Sequence, residues 1–259
     1  MSHATRPLAA LAIAASFALP LPAAAQEPPD YHWLAARYEW TTFDDATSDW
    51  HHASAEYGRR TPVGTLIGRA NWAERSGNAA PQVELDAYPV WPGFGYAYLS
   101  IGYATDLPFP DLRLAGELYV SLPRAWEASL GVVRFDFDDD DVNVIVGSLS
   151  HYVGNYWIAL RPQWLPEGDD YSVTALARRY FSGPDDWITA RLTYGTTSDE
   201  IVTQADIVRL RTLGASVQGR VPLGERWRIL PEAGVFSEEL PGDRERLRVS
   251  LGIGLLRRF

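Results

Sequence analysis

Beyond residue 30 the chain alternates apolar and polar positions with a period of two, almost without a break. Leu34, Ala36, Tyr38 and Trp40 alternate with Arg37 and Glu39, and Val83, Leu85 and Ala87 with Glu84 and Asp86. The same rhythm carries Leu112, Leu114 and Leu118 against Arg113 and Glu117, Trp126 to Val132 against Glu127 and Ser129, and Ile188 to Tyr194 against Thr189, Arg191 and Thr193. Successive side chains of a strand point to opposite faces, so this spacing predicts strands with one apolar and one polar face. No stretch shows a helical apolar stripe, and the 21 Gly and 18 Pro interrupt the chain at short intervals. The pattern predicts an all-β protein.

Alternation suits a soluble sandwich, with the apolar face inside, and equally a membrane barrel, with the apolar face in lipid. Three features favour an antiparallel, up-and-down transmembrane β-barrel. In the last stretch, RLRVSLGIGLLRRF, Leu247, Val249, Leu251, Ile253 and Leu255 fall in phase with the terminal Phe259. That resembles the signal that such barrels present to their insertion machinery; Leu251, Ile253, Leu255 and Phe259 are its candidate residues, and Arg257 departs from it. Longer connections (TTFDDATSD, AERSGNAAPQ, ATDLPFPD, DFDDDD, LPEGDD, TTSDEIVTQAD, EELPGDRE) alternate with shorter ones (GRRTPV, PVWPG, LPRA, VGN, SGPDD, VPLGER). With short turns in the periplasm and long loops outside, this predicts about 14 strands, or 12 if one connection is misread. Finally, Trp40, Trp50, Trp72, Trp91, Trp126, Tyr156, Trp164, Trp187 and Trp227 sit near strand ends. Amphipathic rings at the headgroup level would form two aromatic girdles.

The first residues read as an address. Arg6 supplies a positive start, LAALAIAASFALPL an apolar core too short and Ala-rich for a membrane helix, and Ala23-Ala24-Ala25 a small-residue cleavage site. Residues 1–25 are therefore expected to be a cleavable signal peptide and 26–259 a barrel domain of the outer membrane, with its lipid as surroundings. Composition narrows the rest. The absence of Cys removes disulfides, thiolate metal sites and a cysteine nucleophile. All 23 basic residues are Arg, set against 33 acidic ones, and a net charge of −10 argues against nucleic acid as a partner.

Residues 135–200 contain FDFDDDDV, HYVGNYWIALRP, ARRYFSGPDDW and YGTTSDE in that order. This succession resembles the YaiO family of outer-membrane β-barrel proteins. The resemblance is most specific over this central segment and looser toward Phe259. It implies fold and location, and brings no activity and no catalytic residues with it.

If the apolar rows face lipid, the polar rows line the lumen. They carry Arg37, Glu39, Arg69, Glu84, Asp86, Arg113, Glu117, Glu127, Arg161, Arg191, Arg209, Arg211, Arg228, Glu232, Arg246 and Arg248. Two readings follow. The charges could pair across strands in a small, filled lumen, giving a closed structural barrel or one that docks other envelope proteins. Alternatively an Arg-rich wall could pass or export anionic or saccharide-like cargo, since guanidinium groups bind carboxylates and stack on rings. Asp138, Asp139, Asp140 and Asp141 are weak candidates for a divalent cation, because consecutive residues do not converge on one ion; no metal and no cofactor is expected. A barrel enzyme is the least favoured class. Asp49 with His51 and His52, and Ser148 and Ser150 with His151, are the only acid–base or nucleophile–base candidates, and neither has an orienting third group at a recognisable spacing.

Overall fold

The computed structural model describes residues 30–137, 141–166, 168, 170–196, 211–240 and 244–259. They form one antiparallel sheet closed on itself. Its segments are β1 (Tyr31–Phe43), β2 (Trp50–Thr61), β3 (Gly64–Arg75), β4 (Asn78–Trp91), β5 (Gly95–Ala104), β6 (Leu112–Leu122), β7 (Trp126–Asp136) and β8 (Asp141–Val153). They continue with β9 (Tyr156–Leu165), β10 (Asp170–Tyr180), β11 (Trp187–Gly195), β12 (Arg211–Pro222), β13 (Trp227–Ile229), β14 (Glu232–Leu240) and β15 (Arg244–Arg258).

Each segment pairs with its sequence neighbours, and β15 returns to β1 over a register running from Trp33 opposite Arg258 to Phe43 opposite Arg248. β13 and β14 are one stave. Ile229 opposes Leu255 and Glu232 opposes Gly252 in the same register, and the gap at Leu230-Pro231 exists because proline has no N–H to give the ladder. The wall therefore has 14 staves, an even number, with no open edge to unsatisfy backbone groups in lipid. Strands of 9 to 15 residues suffice to cross the hydrocarbon at a tilt. A circular wall of this count, with strands about 4.8 Å apart and tilted about 40°, is about 28 Å across.

The two faces divide as the alternation requires. Leu85, Leu99, Ile101, Leu130, Leu160, Leu192, Leu213, Leu251, Ile253 and Leu255 point outward and stay exposed, a lipid-facing belt. Trp91, Trp126, Tyr156 and Trp227 ring the end with the short turns, and Trp40, Trp72 and Trp164 the other. Trp50 and Trp187 depart from the expected girdle. Both lie in phase with inward residues, Trp50 against Phe43 with the Arg75 guanidinium 4.5 Å over its ring, and Trp187 beneath Arg178 at 4.2 Å. Arg257 is outward and rests between Trp227 and Phe259, 5.4 and 4.7 Å from their ring centres. There its stem lies along apolar surface and its head reaches the interface.

β1 starts, and β15 ends, at the end that bears the short turns, which faces the periplasm in bacterial barrels. One connection read as long is a tight hairpin: within AERSGNAAPQ only Ser76 and Gly77 lie between strands, at φ 51° and 85°. Two consecutive left-handed residues match the twist of a two-residue hairpin. The signal-peptide residues, Asp138, Asp139, Asp140 and most of the TTSDEIVTQAD connection lie outside the described residues.

The interior is layered. Phe135, Phe137, Val142, Val144, Val146 and Leu165 form an inward apolar patch on one wall. Trp33, Ala35, Leu230 and Leu256 form another toward the periplasmic end. A loop at the outer end folds in as well: Phe109 is buried against Ala73, Ala80 and Ala104, with Pro110 beside it.

Candidate functional site in the barrel lumen

Fourteen of the sixteen expected lumen residues point inward: Arg37, Glu39, Arg69, Glu84, Asp86, Arg113, Glu117, Glu127, Arg161, Arg191, Arg228, Glu232, Arg246 and Arg248. Arg211 does not. It shares the outward row of Leu213 at the outer rim, where it is exposed and lies 3.8 Å from Glu239 on the neighbouring stave. Its place at the very start of β12 lets an outward guanidinium sit above the lipid. Arg209 lies outside the described residues.

Most of the inward charge is paired across staves. Arg69 reaches Glu84 at 2.9 Å, Glu56 at 3.3 Å and Asp86 at 3.4 Å. Arg113 donates to Ser100 Oγ at 2.6 Å and Tyr98 Oη at 3.3 Å, with Glu84 at 3.7 Å. Glu117 receives both terminal nitrogens of Arg161, at 3.0 and 2.8 Å, the two-pronged geometry that guanidinium and carboxylate share. Near the outer end Glu238 accepts from Arg246 and Arg248, whose planes also lie 4.5 Å over Phe43 and 4.0 Å over Phe236. Most of these pairs join neighbouring staves, but Arg113 reaches Glu84 two strands away and Arg161 reaches Glu117 three strands away, which no local spacing announces.

Among the described residues, two cavities inside the barrel stand out. One of about 420 Å³ lies under Phe109 and Pro110, where Arg37, Arg69, Arg75, Arg113 and Arg191 meet Glu39, Glu56, Glu84 and Glu232. The other, of about 500 Å³, is different in chemistry. Six tyrosines (Tyr88, Tyr96, Tyr98, Tyr119, Tyr152, Tyr180) and Trp157 line it, with Arg113, Arg161, Arg178 and Arg191 and a single carboxylate, Glu117. Tyr96 and Tyr119 stack at 4.4 Å across adjacent strands, which fixes a flat ring pair in the wall. Arg178 has rings for company: Trp157 at 5.2 Å and Trp187 at 4.2 Å, with Thr189 Oγ1 accepting from its Nε at 2.8 Å. Arg191 lines both cavities. It has no ion-pair partner among the described residues, and its Nε is buried without an acceptor.

Sequence spacing pointed to Arg113, Arg161 and Arg191 but not to Arg178, the tyrosines or Trp157. Their signal was present in the even-numbered phase of Tyr88, Tyr96 and Tyr98, opposite the lipid-facing Leu85 and Leu99.

The catalytic candidates do not assemble. His151 faces outward, stacked on Trp126 at 4.4 Å, while Ser150 faces inward and donates to Glu127 at 3.5 Å and Ser148 bonds Ser129 at 2.6 Å. His51 is outward and bonded to Tyr38 Oη at 2.7 Å; His52 turns inward toward Phe109. Asp49, at the outer rim, accepts from the Trp40 indole at 2.9 Å, which holds its carboxyl below the ordinary range. In the adjacent loop, the hydroxyl and amide of Thr47 do the same for Asp45. Asp141 is engaged by Arg134.

The fold recurs in solved outer-membrane proteins. Outer membrane protein Omp33 of Acinetobacter baumannii superposes with a TM-score of 0.53 at 13% identity, covering 89% of this chain and 99% of that one. The CymD monoaromatic hydrocarbon channel (TM-score 0.49, 8% identity, 89% of each chain) and Pseudomonas aeruginosa OccK3 (0.45, 9%, 89% and 95%) are looser likenesses. No curated protein matches the chain. The sequence pattern of the YaiO membrane beta barrel domain matches residues 32–200, which takes in the tyrosine-lined wall, Arg178 and Arg191. A closed 14-stave wall with a lipid-facing belt and that match over more than half of its length agree: the chain is an outer-membrane β-barrel and belongs to the YaiO membrane β-barrel family.

Proposed function

We propose that this barrel admits acidic, saccharide-like cargo, and that the tyrosine-lined cavity is where the cargo is held. One observation carries the reading: that cavity is lined by four guanidinium groups and one carboxylate, and while Arg113 and Arg161 face Glu84 and Glu117, Arg178 and Arg191 have no ion-pair partner among the described residues. Flat Tyr and Trp faces suit the C–H faces of a sugar ring, and guanidinium groups supply two-pronged bonds to a carboxylate. Arg191 is the group most available, because binding a cargo carboxylate gives its unpartnered Nε the acceptor it lacks.

The test is binding of trigalacturonate to the refolded barrel, followed by tryptophan fluorescence, with the neutral maltotriose as reference. Trigalacturonate should bind and maltotriose should not. Arg191→Gln should weaken binding about tenfold, the value of one charge-assisted hydrogen bond of about 1.5 kcal/mol. Equal binding of both sugars, or of neither, overturns the reading. The inward-folded segments at both ends favour a second reading, a closed barrel that docks other envelope proteins; it predicts no binding and no conductance.

The outward row Leu251, Ile253, Leu255 and Phe259 is, on the same footing, what the barrel-insertion machinery would read. It stands on the seam strand β15, where the Phe259 amide donates to the His32 carbonyl at 2.9 Å and its ring meets the His32 ring at 5.4 Å.

A further inference from the structure

The turn between β10 and β11, residues 181–186, is built unlike the other periplasmic turns. It carries two aspartates, and they are drawn under the barrel instead of pointing to solvent. Asp185 is only 14% exposed although it sits at the tip of a connection. Tyr31 Oη donates to it at 2.8 Å, and the guanidinium groups of Arg60, Arg258 and Arg220 stand 3.4, 3.5 and 3.9 Å away. Asp186 is held by Arg228 Nε at 2.7 Å, and Arg228 in turn donates to the Gly224 and Glu225 carbonyls of the next turn. The residues that grip the turn belong to β1, β2, β12, β13 and β15. β2 is five staves from β11 in a wall of 14, so the grip reaches far round the mouth. Above it lies the apolar layer of Trp33, Leu230 and Leu256.

Four guanidinium groups meet two carboxylates there, and Arg220 keeps a buried Nε without an acceptor. The chain thus supplies its own carboxylate to an arginine cluster that remains in cationic excess. We propose that the 181–186 turn is a latch across the periplasmic mouth, and that Arg60, Arg220 and Arg258 form an exit subsite for a carboxylate-bearing cargo, occupied by Asp185 in the resting barrel. Cargo leaving the tyrosine-lined cavity exchanges its carboxylate for that of Asp185, and the turn swings away. The turn's bases suit a hinge: β10 ends at Tyr180 and β11 begins at Trp187, and Arg178, bracketed by Trp157 and Trp187, anchors both. The exit subsite rests on the acidic-cargo reading; the latch itself does not.

Two measurements test it. The first is planar-bilayer conductance of the refolded chain against D185N/D186N, with heat-modifiable gel migration showing that both barrels are folded. The latch predicts an open probability raised about tenfold or more, which corresponds to about 1.4 kcal/mol. A folded variant with unchanged conductance overturns the latch. The second leaves the latch intact. The chain has no cysteine, so a nitroxide on Ser182→Cys, an exposed turn residue, is a unique label. Trigalacturonate should mobilise the label and maltotriose should not. A label unmoved while tryptophan fluorescence reports trigalacturonate bound overturns the exit subsite and leaves the cargo reading standing. Failure of trigalacturonate to bind at all overturns the cargo reading and the subsite together, and the conductance comparison then decides the latch alone.

Discussion

Arg161→Met is the perturbation whose size can be worked most directly from the lumen. Glu117 is 2% exposed, and its carboxylate is held by the two Arg161 bonds at 3.0 and 2.8 Å and by Ser129 Oγ at 2.5 Å. Removing Arg161 leaves that buried charge with neutral hydroxyls alone, and breaking a buried pair from one side costs about 3–5 kcal/mol. The adjoining cavity can hold water, so the lower end, about 3 kcal/mol, is expected. Glu117→Gln is milder. The amide keeps a carbonyl for Arg161, whose head is 22% exposed toward the cavity and retains Tyr119 Oη at 3.2 Å, so about 1 kcal/mol is expected. The double variant should fall well short of the sum of the two, because the penalty of an orphaned charge disappears when both members change. Urea unfolding in lipid vesicles, followed by tryptophan fluorescence and gel migration, measures all three. If Arg161→Met costs no more than Glu117→Gln, or less than about 1 kcal/mol, the description of the pair as a buried, mutually dependent unit is wrong.

Other consequences are as specific. Gly58 faces the lumen where a Cβ would fall inside the Trp33 indole, so Gly58→Ala should destabilise the barrel by about 2 kcal/mol in the same urea assay and displace the 2.6 Å Trp33–Glu56 hydrogen bond. Phe109→Ala should loosen the outer loop from Ala73, Ala80 and Ala104, seen as faster proteinase K cleavage between residues 105 and 111 with the barrel itself intact. Phe259→Ser should lower the yield of assembled barrel in cells more than refolding yield in detergent; equal losses would mean that its seam contacts, not recognition, are what count.

The wall was legible in the sequence because lipid and lumen impose opposite demands on adjacent residues. Leu247 to Phe259, along β15 and the residue after it, show it best: every second residue is outward, including the Arg257 that breaks the apolar row and is accommodated between two rings at the interface. Where both faces are apolar, periodicity is silent. Val144, Ile145 and Val146 read as one run, and nothing local shows that Val142, Val144 and Val146 turn inward to form a patch with Phe135 and Leu165. Position along the chain suggests a girdle for Trp50 and Trp187, but their phase with Ser54 and Thr189 puts them inside. The latch was the least legible part. SGPDD reads as a short polar turn, and its meaning depends on arginines from Arg60 to Arg258 that only barrel closure brings together.

On the proposed reading, charge left unpaired beside the tyrosines sets what the lumen accepts. That reading is tested most directly by the reversal potential of the barrel's conducting events under a KCl gradient, in the unaltered chain and in D185N/D186N. A chloride preference is expected in both, diminished by Arg191→Gln, whose guanidinium lines both cavities without an ion-pair partner among the described residues. A potassium preference, or a chloride preference untouched by that substitution, would contradict it.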